Sequence, residues 1–320
     1  MRIYVLALNE VFDTGLSALL DTFSAANELA ESAGASSTRF DVTVVGVRTR
    51  VRTSQGLSVP IRLATRLVRP EVVLVPALGA KMPKTLRVAL ERRDVKDAQA
   101  LLRHWSGSGT LAGAACTGTF VLAGTSLLNG QNATTSWWLA PFFRERYPHV
   151  VLDDSRMVVS SSRFVTAGAA LAHLDLALWL VRRSSPALAA LTARYLVIDP
   201  RPSQATFAIP DHLAHSDPLV ERFERWARRQ LAEGFSLGEA ARAVVTSERT
   251  LARRLQSVLG KSPLAYVQDL RVERAVHLLQ TSSASVDQIA AQVGYADGVT
   301  LRTLIRRKIG RGVRELRARD

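Results

Sequence analysis

Apolar residues in the first two hundred positions fall into short continuous runs that alternate with longer stretches of helical spacing. Residues 3–8, 40–47, 71–76 and 110–115 read as strands buried on both faces, whereas residues 16–30 and 88–105 repeat at helical intervals. That alternation predicts a parallel sheet with helices on both sides. In such sheets, sites gather at the C-terminal ends of the strands. Ser184-Ser185-Pro186 marks the start of a helix through Leu196. From Asp199 to Asp217 the pattern dissolves among Pro200, Pro202, Pro210 and small polar residues, the composition of a linker. Asp217-Pro218 then has the form of an N-cap followed by proline at the first helical position, with Val220, Phe223, Ala227 and Leu231 facing inward. The division expected is a domain over 1–198, a linker over 199–217 and a helical domain over 218–320.

Within the helical domain one small unit is written twice, SLGEAARAVVTSERTLARRLQSVLG at 236–260 and SVDQIAAQVGYADGVTLRTLIRRKIG at 285–310. Superposing Ser236 on Ser285 aligns Leu237 with Val286, Ala240 with Ile289 and Ala241 with Ala290. After one extra residue in the second turn, Leu251 meets Leu301, Leu255 meets Ile305 and Gly260 meets Gly310. Each copy predicts a short helix, a tight break and a longer helix stopped by glycine, the pattern of a helix-turn-helix whose second helix enters a DNA major groove. In the first copy Ser247 is the expected N-cap. Leu251, Leu255, Val258 and Leu259 line one face, and Arg249, Ala252, Arg253 and Gln256 the other. In the second copy Ser285 is the expected cap, Gly294 the turn, and Arg302, Arg306, Arg307 and Lys308 cluster on the long helix. Residues 262–282 read as one helix holding both units at a fixed separation, suited to adjacent major grooves ~34 Å apart.

The run Ser247, Leu251, Leu255, Gly260, Ser262-Pro263, Leu270-Arg271, Ala275, Leu278-Leu279, Ile289-Ala290, Val293-Gly294-Tyr295 and Gly310 resembles the AraC/XylS DNA-binding domain over about the last hundred residues. The resemblance implies that Arg249, Ala252 and Arg253 face bases in one groove. It implies that Val299, Arg302 and Thr303 do so in the next, with Arg306 near phosphate. The chain departs from the family at Ile305, Val313 and Leu316, where phenylalanine, proline and tyrosine are common. Val299 and Thr303 also offer little to hydrogen-bond a base, so the first unit is expected to carry most base readout.

Charge fits this partner. The chain carries +14 at neutral pH, and 19 Lys and Arg against 11 Asp and Glu fall from Pro218 onward, as suits a polyanion. A single cysteine makes no intrachain disulfide. The opening run is too short for a membrane span and lacks a cleavage signal, so a cytoplasmic location without membrane association is expected. His104, His149 and His173 show no metal-ligand spacing, and no cofactor or metal is expected.

The chemistry-bearing motif of the first domain is Gly113-Ala-Ala-Cys116-Thr-Gly118-Thr-Phe120, a cysteine between strand and helix in the form of a nucleophile elbow. A helix N-terminus there would lower the thiol pKa; the alternative is a small buried cysteine packed at a turn. With Leu127-Leu-Asn-Gly130, Ala133-Thr-Thr-Ser-Trp137, Thr166-Ala-Gly168 and Asp175-Leu-Ala-Leu178, the elbow makes residues up to about Arg183 resemble the PfpI/ThiJ-like branch of the class I glutamine-amidotransferase superfamily. They resemble most the GlxA-like branch fused to AraC-type domains. The resemblance implies a Rossmann-like parallel-sheet sandwich followed by an all-α domain with two helix-turn-helix units.

Relatives with thiol chemistry carry histidine after the cysteine, an acid after the first strand and a glycine-rich oxyanion turn. Here these positions hold Thr117, Gly15 and Pro76-Ala77-Leu78-Gly79, and Asp13 and Asp21 are out of register. Catalysis is therefore not expected. The reading is a regulator of transcription whose degenerate elbow (Cys116, Thr117, Ala77, Trp137 and Thr166) is kept as a ligand pocket or for homodimerisation. Its expected partners are double-stranded promoter DNA, RNA polymerase and a small-molecule effector. Phe142, Phe143 and Trp138 are further candidates to line the pocket. The alternatives are a thiol-dependent amidase or glyoxalase-like enzyme, and a redox sensor in which exposed Cys116 is oxidised.

Overall fold

The structure is a computed structural model and describes residues 1–317 except Ser36, Pro202, Pro210, Asp211 and Ala214. The linker prolines Pro202 and Pro210 thus lie outside the described residues. The chain forms two compact units, Met1–Gln204 and Ala205–Asp320. The stretch that reads as a linker therefore begins as part of the first unit.

The first unit is built on a seven-stranded sheet ordered Val158–Ser161, Phe164–Ala167, Leu111–Ala115, Val72–Val75, Arg2–Leu6, Asp41–Gly46 and Arg62–Leu63. All neighbours pair in parallel except the first two strands. The helices are α1 (Asp13–Leu29), α2 (Pro83–Leu90), α3 (Arg93–Gly107), α4 (Gly118–Ala123), α5 (Ala140–Arg146), α6 (Ala172–Ser184) and α7 (Pro186–Tyr195). The central strands are buried on both faces, which is why they read as apolar runs and not as alternation. Ile3, Val5, Leu74 and Val165 join Leu19 and Phe23 of α1, Leu176 and Leu180 of α6 and Leu188 of α7 in one core. On the other face Tyr4 packs its ring 5.8 Å from that of Trp105 in α3.

The single helix expected over 88–105 is two. Arg92 takes an extended conformation between α2 and α3, and its guanidinium reaches back to Glu10 at 2.6 Å and Asp94 at 3.0 Å. Turning the chain here lets Leu86, Ala89 and Leu90 bury separately from Val95, Ala98, Leu102 and Trp105.

The second unit strings α8 (Pro218–Arg229), α9 (Leu237–Ala243), α10 (Glu248–Leu259), α11 (Pro263–Thr281), α12 (Val286–Gln292), α13 (Gly298–Ile309) and α14 (Val313–Arg317). Two apolar cores share α11 as a spine. Tyr266, Val267 and Leu270 close the first around Phe223, Leu251 and Leu255. Val272, Ala275 and Leu279 close the second around Ile289, Leu301 and Ile305. Ile305 and Leu316 are both buried in it.

The helix punctuation is physical. Asp217, Ser236, Ser247, Ser262 and Ser285 each accept a hydrogen bond from a first-turn N–H, Ser285 in a capping box with Gln288. Each such cap stabilises its helix by about 1 kcal/mol. Asp297 does the same for α13, a cap that the sequence reading leaves unassigned. Gly260 and Gly310 end α10 and α13 in the left-handed region.

The turn between α9 and α10 holds a strained residue. Val245 stands at φ 58° and is 89% exposed, so a β-branched side chain is held left-handed with no burial to offset it. Val245→Gly is expected to stabilise the second unit by about 1 kcal/mol, read as a raised denaturant midpoint. A lowered midpoint would show that unfolded-state entropy outweighs the strain.

Candidate nucleic-acid interface and cysteine elbow

Helix α10 buries Leu251, Leu255 and Leu259; the face turned away carries Arg249, Arg253 and Gln256 exposed and Ala252 half-buried. Helix α13 buries Leu301, Leu304 and Ile305 and leaves Val299, Arg302, Thr303 and Arg306 exposed. Thr303 donates its hydroxyl to the Val299 carbonyl at 3.0 Å, so only its lone pairs face outward. Asp297 caps α13 as a carboxylate, its pKa lowered by hydrogen bonds from Thr300.

The basic residues sort into two groups. Arg254 pairs with Asp217, and Lys261 and Lys308 both pair with Asp269 of α11. Arg271 is buried, donates to the carbonyls of Leu231 and Glu233, and lies 5.2 Å over the Tyr295 ring. These cations hold the domain together. Lys308, grouped by sequence with the outward cluster of α13, belongs with them, because the acid that claims it is 39 residues away. Arg249, Arg253, Arg302 and Arg306 form no ion pair among the described residues. Unpaired guanidiniums on two outward helix faces are the chemistry that phosphates and guanine edges accept.

In the first unit the strand Leu111–Ala115 ends at Cys116, which takes φ 54° before α4 begins. The elbow is present but closed. Cys116 is 5% exposed; its N–H donates to the Ala167 carbonyl at 2.9 Å, and its sulfur accepts from the Ser136 hydroxyl at 2.8 Å. Burial pushes the thiol pKa up, against the hydrogen bonds from Ser136 and Thr117 and the charge of Lys81. This corrects the expectation of a lowered pKa: loss of solvent outweighs the helix end. An exposed thiolate, which the redox reading requires, is not what the fold presents.

The other elbow residues are engaged by groups elsewhere in the first unit. Thr117 donates its hydroxyl to the Leu78 carbonyl, and Thr166 accepts from the Thr134 N–H. Trp137 is half-buried, with its N–H on the Gln204 side chain. Phe142 and Phe143 pack on Phe120 at centroid distances of 5.6 and 4.9 Å, so they are core and not pocket wall. Trp138 donates its indole N–H to the Lys81 carbonyl.

His173, which sequence reasoning set aside, is the buried group that organises this end of the sheet. Its Nε2 accepts the Ala77 N–H at 3.1 Å, and its Nδ1 lies 2.8 Å from the Ala170 carbonyl. That pairing requires the neutral tautomer with hydrogen on Nδ1. Burial agrees, lowering its pKa to about 4. The imidazole also fills the space beside Gly15, where an added Cβ would stand 2.5 Å from Nε2. Histidine thus occupies the space over Gly15 and engages the amide of the Pro76-Ala77-Leu78-Gly79 turn. Asp13 lies elsewhere: its carboxylate accepts from Ser54 and Gln55. Burial opposes its ionisation, but these bonds and one from Thr53 hold its pKa below the usual range. Among the described residues, no cluster of histidine, cysteine and acids suits a metal, and no helix is long and apolar enough to cross a membrane.

Comparison with known proteins agrees with both halves. Residues 1–183 match the DJ-1/PfpI family, and residues 240–319 match a helix-turn-helix domain. The chain is 27% identical over 212 residues to the HTH-type transcriptional regulator GbdR of Pseudomonas aeruginosa, covering 65% of this chain and 58% of that protein. It is 30% identical over 201 residues to the HTH-type transcriptional regulator ArgR of the same species, covering 62% and 61%. The matches thus span about three fifths of these relatives' length. The fold of the first unit is shared with an AraC family transcriptional regulator from Pseudomonas putida, at a TM-score of 0.51 and 18% identity over 61% of this chain and 98% of that one. The chain belongs to the DJ-1/PfpI family and joins that domain to an AraC-type helix-turn-helix domain.

Proposed function

We propose that the protein is a sequence-specific DNA-binding regulator of transcription. The carrying observation is the pair of capped helices, α10 and α13, whose outward faces present Arg249, Arg253, Arg302 and Arg306 with no salt bridge among the described residues while neighbouring cations are tied into the fold. Arg253 and Arg249 read bases, with Ala252 and Gln256 beside them. Arg302 and Arg306 supply affinity, and Val299 and Thr303 offer only apolar contact and hydroxyl lone pairs. The protein works in the cytoplasm on promoter DNA, as a homodimer through the first unit, and communicates with RNA polymerase.

The first unit acts as a sensor of a small-molecule effector and not as a catalyst. Its thiol is buried and its pKa is raised. The position of the family's acid is glycine under an imidazole, and the Ala77 amide is occupied by His173. A nucleophile, a base and a free oxyanion donor are the minimum for acyl chemistry.

Selection of bound sequences from a random duplex library at near-physiological salt tests the proposal, using the full chain. Two short enriched blocks about one helical turn apart are expected; binding without enrichment would refute sequence-specific regulation. Arg306→Ala is expected to weaken every duplex alike and to reduce the slope of log affinity against log salt by about 1. An unchanged slope would remove Arg306 from the phosphate contacts.

A further inference from the structure

We propose that the first unit contains a binding site for a primary carboxamide, occupied in this state by the protein's own Gln204. Gln204 is the last residue of the first unit, and its side chain is fully buried. Its amide nitrogen donates to the Thr134 hydroxyl at 3.0 Å, the Thr135 carbonyl at 2.8 Å and the Arg156 carbonyl at 3.3 Å. Its amide oxygen accepts the Trp137 N–H at 3.2 Å and the Ala169 N–H at 3.1 Å. Acceptors on one side and two N–H donors on the other read the two ends of a carboxamide. A carboxylate has no hydrogen to give the three oxygens and is rejected.

The site is built from separate parts of the chain, and glycine makes its room: a Cβ at Gly168 would stand 2.4 Å from the Gln204 amide nitrogen. It lies at the C-terminal end of the sheet beside the elbow, since Thr135 also donates to the Cys116 carbonyl. The occupant arrives on a strap. Ser203 bridges Arg156, Arg201 pairs with Asp175 at 2.6 Å, and Asp199, Pro200 and Arg201 wall a cavity of about 360 Å³ with Met157, Trp179 and Arg182. A free carboxamide that displaced Gln204 would release this strap at the point where the chain leaves the first unit. The inference supplies a ligand class for the sensing role proposed above and rests on that reading, but the site itself is tested without DNA.

The test uses the full chain, with propionamide and propionate as probes and hydrogen exchange of the Trp137 and Ala169 amides as readout. In Gln204→Ala these amides are expected to exchange faster and to be protected again by propionamide, not by propionate. The wild-type protein should need at least about tenfold more propionamide, because the tethered side chain competes at a high effective concentration. Near saturation its residues 199–205 should exchange faster. Gly168→Ala, which fills the site, should expel the strap and bind neither probe. Equal protection by propionate, propionamide binding to Gly168→Ala, or a wild-type strap unmoved by propionamide would each overturn the proposal. The last measurement holds even where the Gln204 variant fails to fold. Loss of sequence-specific DNA binding would instead refute the regulator reading and leave this site untouched.

Discussion

Arg253→Ala is expected to reduce affinity for the selected operator by about 1–3 kcal/mol, roughly 5- to 150-fold, and to relax preference at one base pair. Arg253 projects from the exposed face of α10, whose opposite side is fixed by Leu251, Leu255 and Leu259. The helix is anchored at its start by Ser247 and through Arg254 by Asp217. The guanidinium therefore approaches DNA on a rigid support, and its planar fork matches O6 and N7 of guanine. Lysine at 253 should restore part of the charge but not the discrimination. The check is a binding series over operators varied one pair at a time. Equal loss on all of them would move Arg253 from base reading to phosphate contact.

The second large effect is on stability and acid. His173 is neutral when folded, with its pKa lowered to about 4 from an ordinary 6.5. Above pH 6.5 neither folded nor unfolded chain carries that proton, and the first unit keeps its full stability. Between pH 6.5 and 4 the unfolded chain takes the proton and the folded chain refuses it, so stability falls as pH falls. Below pH 4 this loss levels off, at about 3 kcal/mol in total. Urea midpoints across that interval measure it. His173→Gln keeps a donor for Ala170 and an acceptor for Ala77 but cannot titrate, so its slope should flatten. An unchanged slope would assign the acid sensitivity to other groups.

Most of the architecture was legible because it is written locally. Continuous apolar runs announced the doubly covered sheet, and the family resemblance of both halves matches what the comparisons found. Serine caps and stopping glycines lie within a few residues of the helices they bound. What stayed hidden depends on partners far apart in sequence. The break at Arg92 brings its guanidinium to Glu10, 82 residues earlier. Lys308 looks like one more outward cation until Asp269 is placed beside it. His173 looks like a scattered histidine until the Ala77 amide, 96 residues earlier, arrives at its ring. Gln204 sits in a stretch whose composition reads as linker, and nothing nearby in the chain announces five partners for its amide. The outward arginines of α10 and α13 were readable for the opposite reason: they need no partner within the chain, only a helix face.

The fit of His173 against Gly15 also ties the two positions together. A carboxylate at position 15 would have to arrive on top of an imidazole. Shortening residue 173 first would leave the buried Ala77 N–H without its acceptor, at about 1–3 kcal/mol. An acid at position 15 therefore requires a coordinated change at residue 173 that still offers the Ala77 N–H an acceptor.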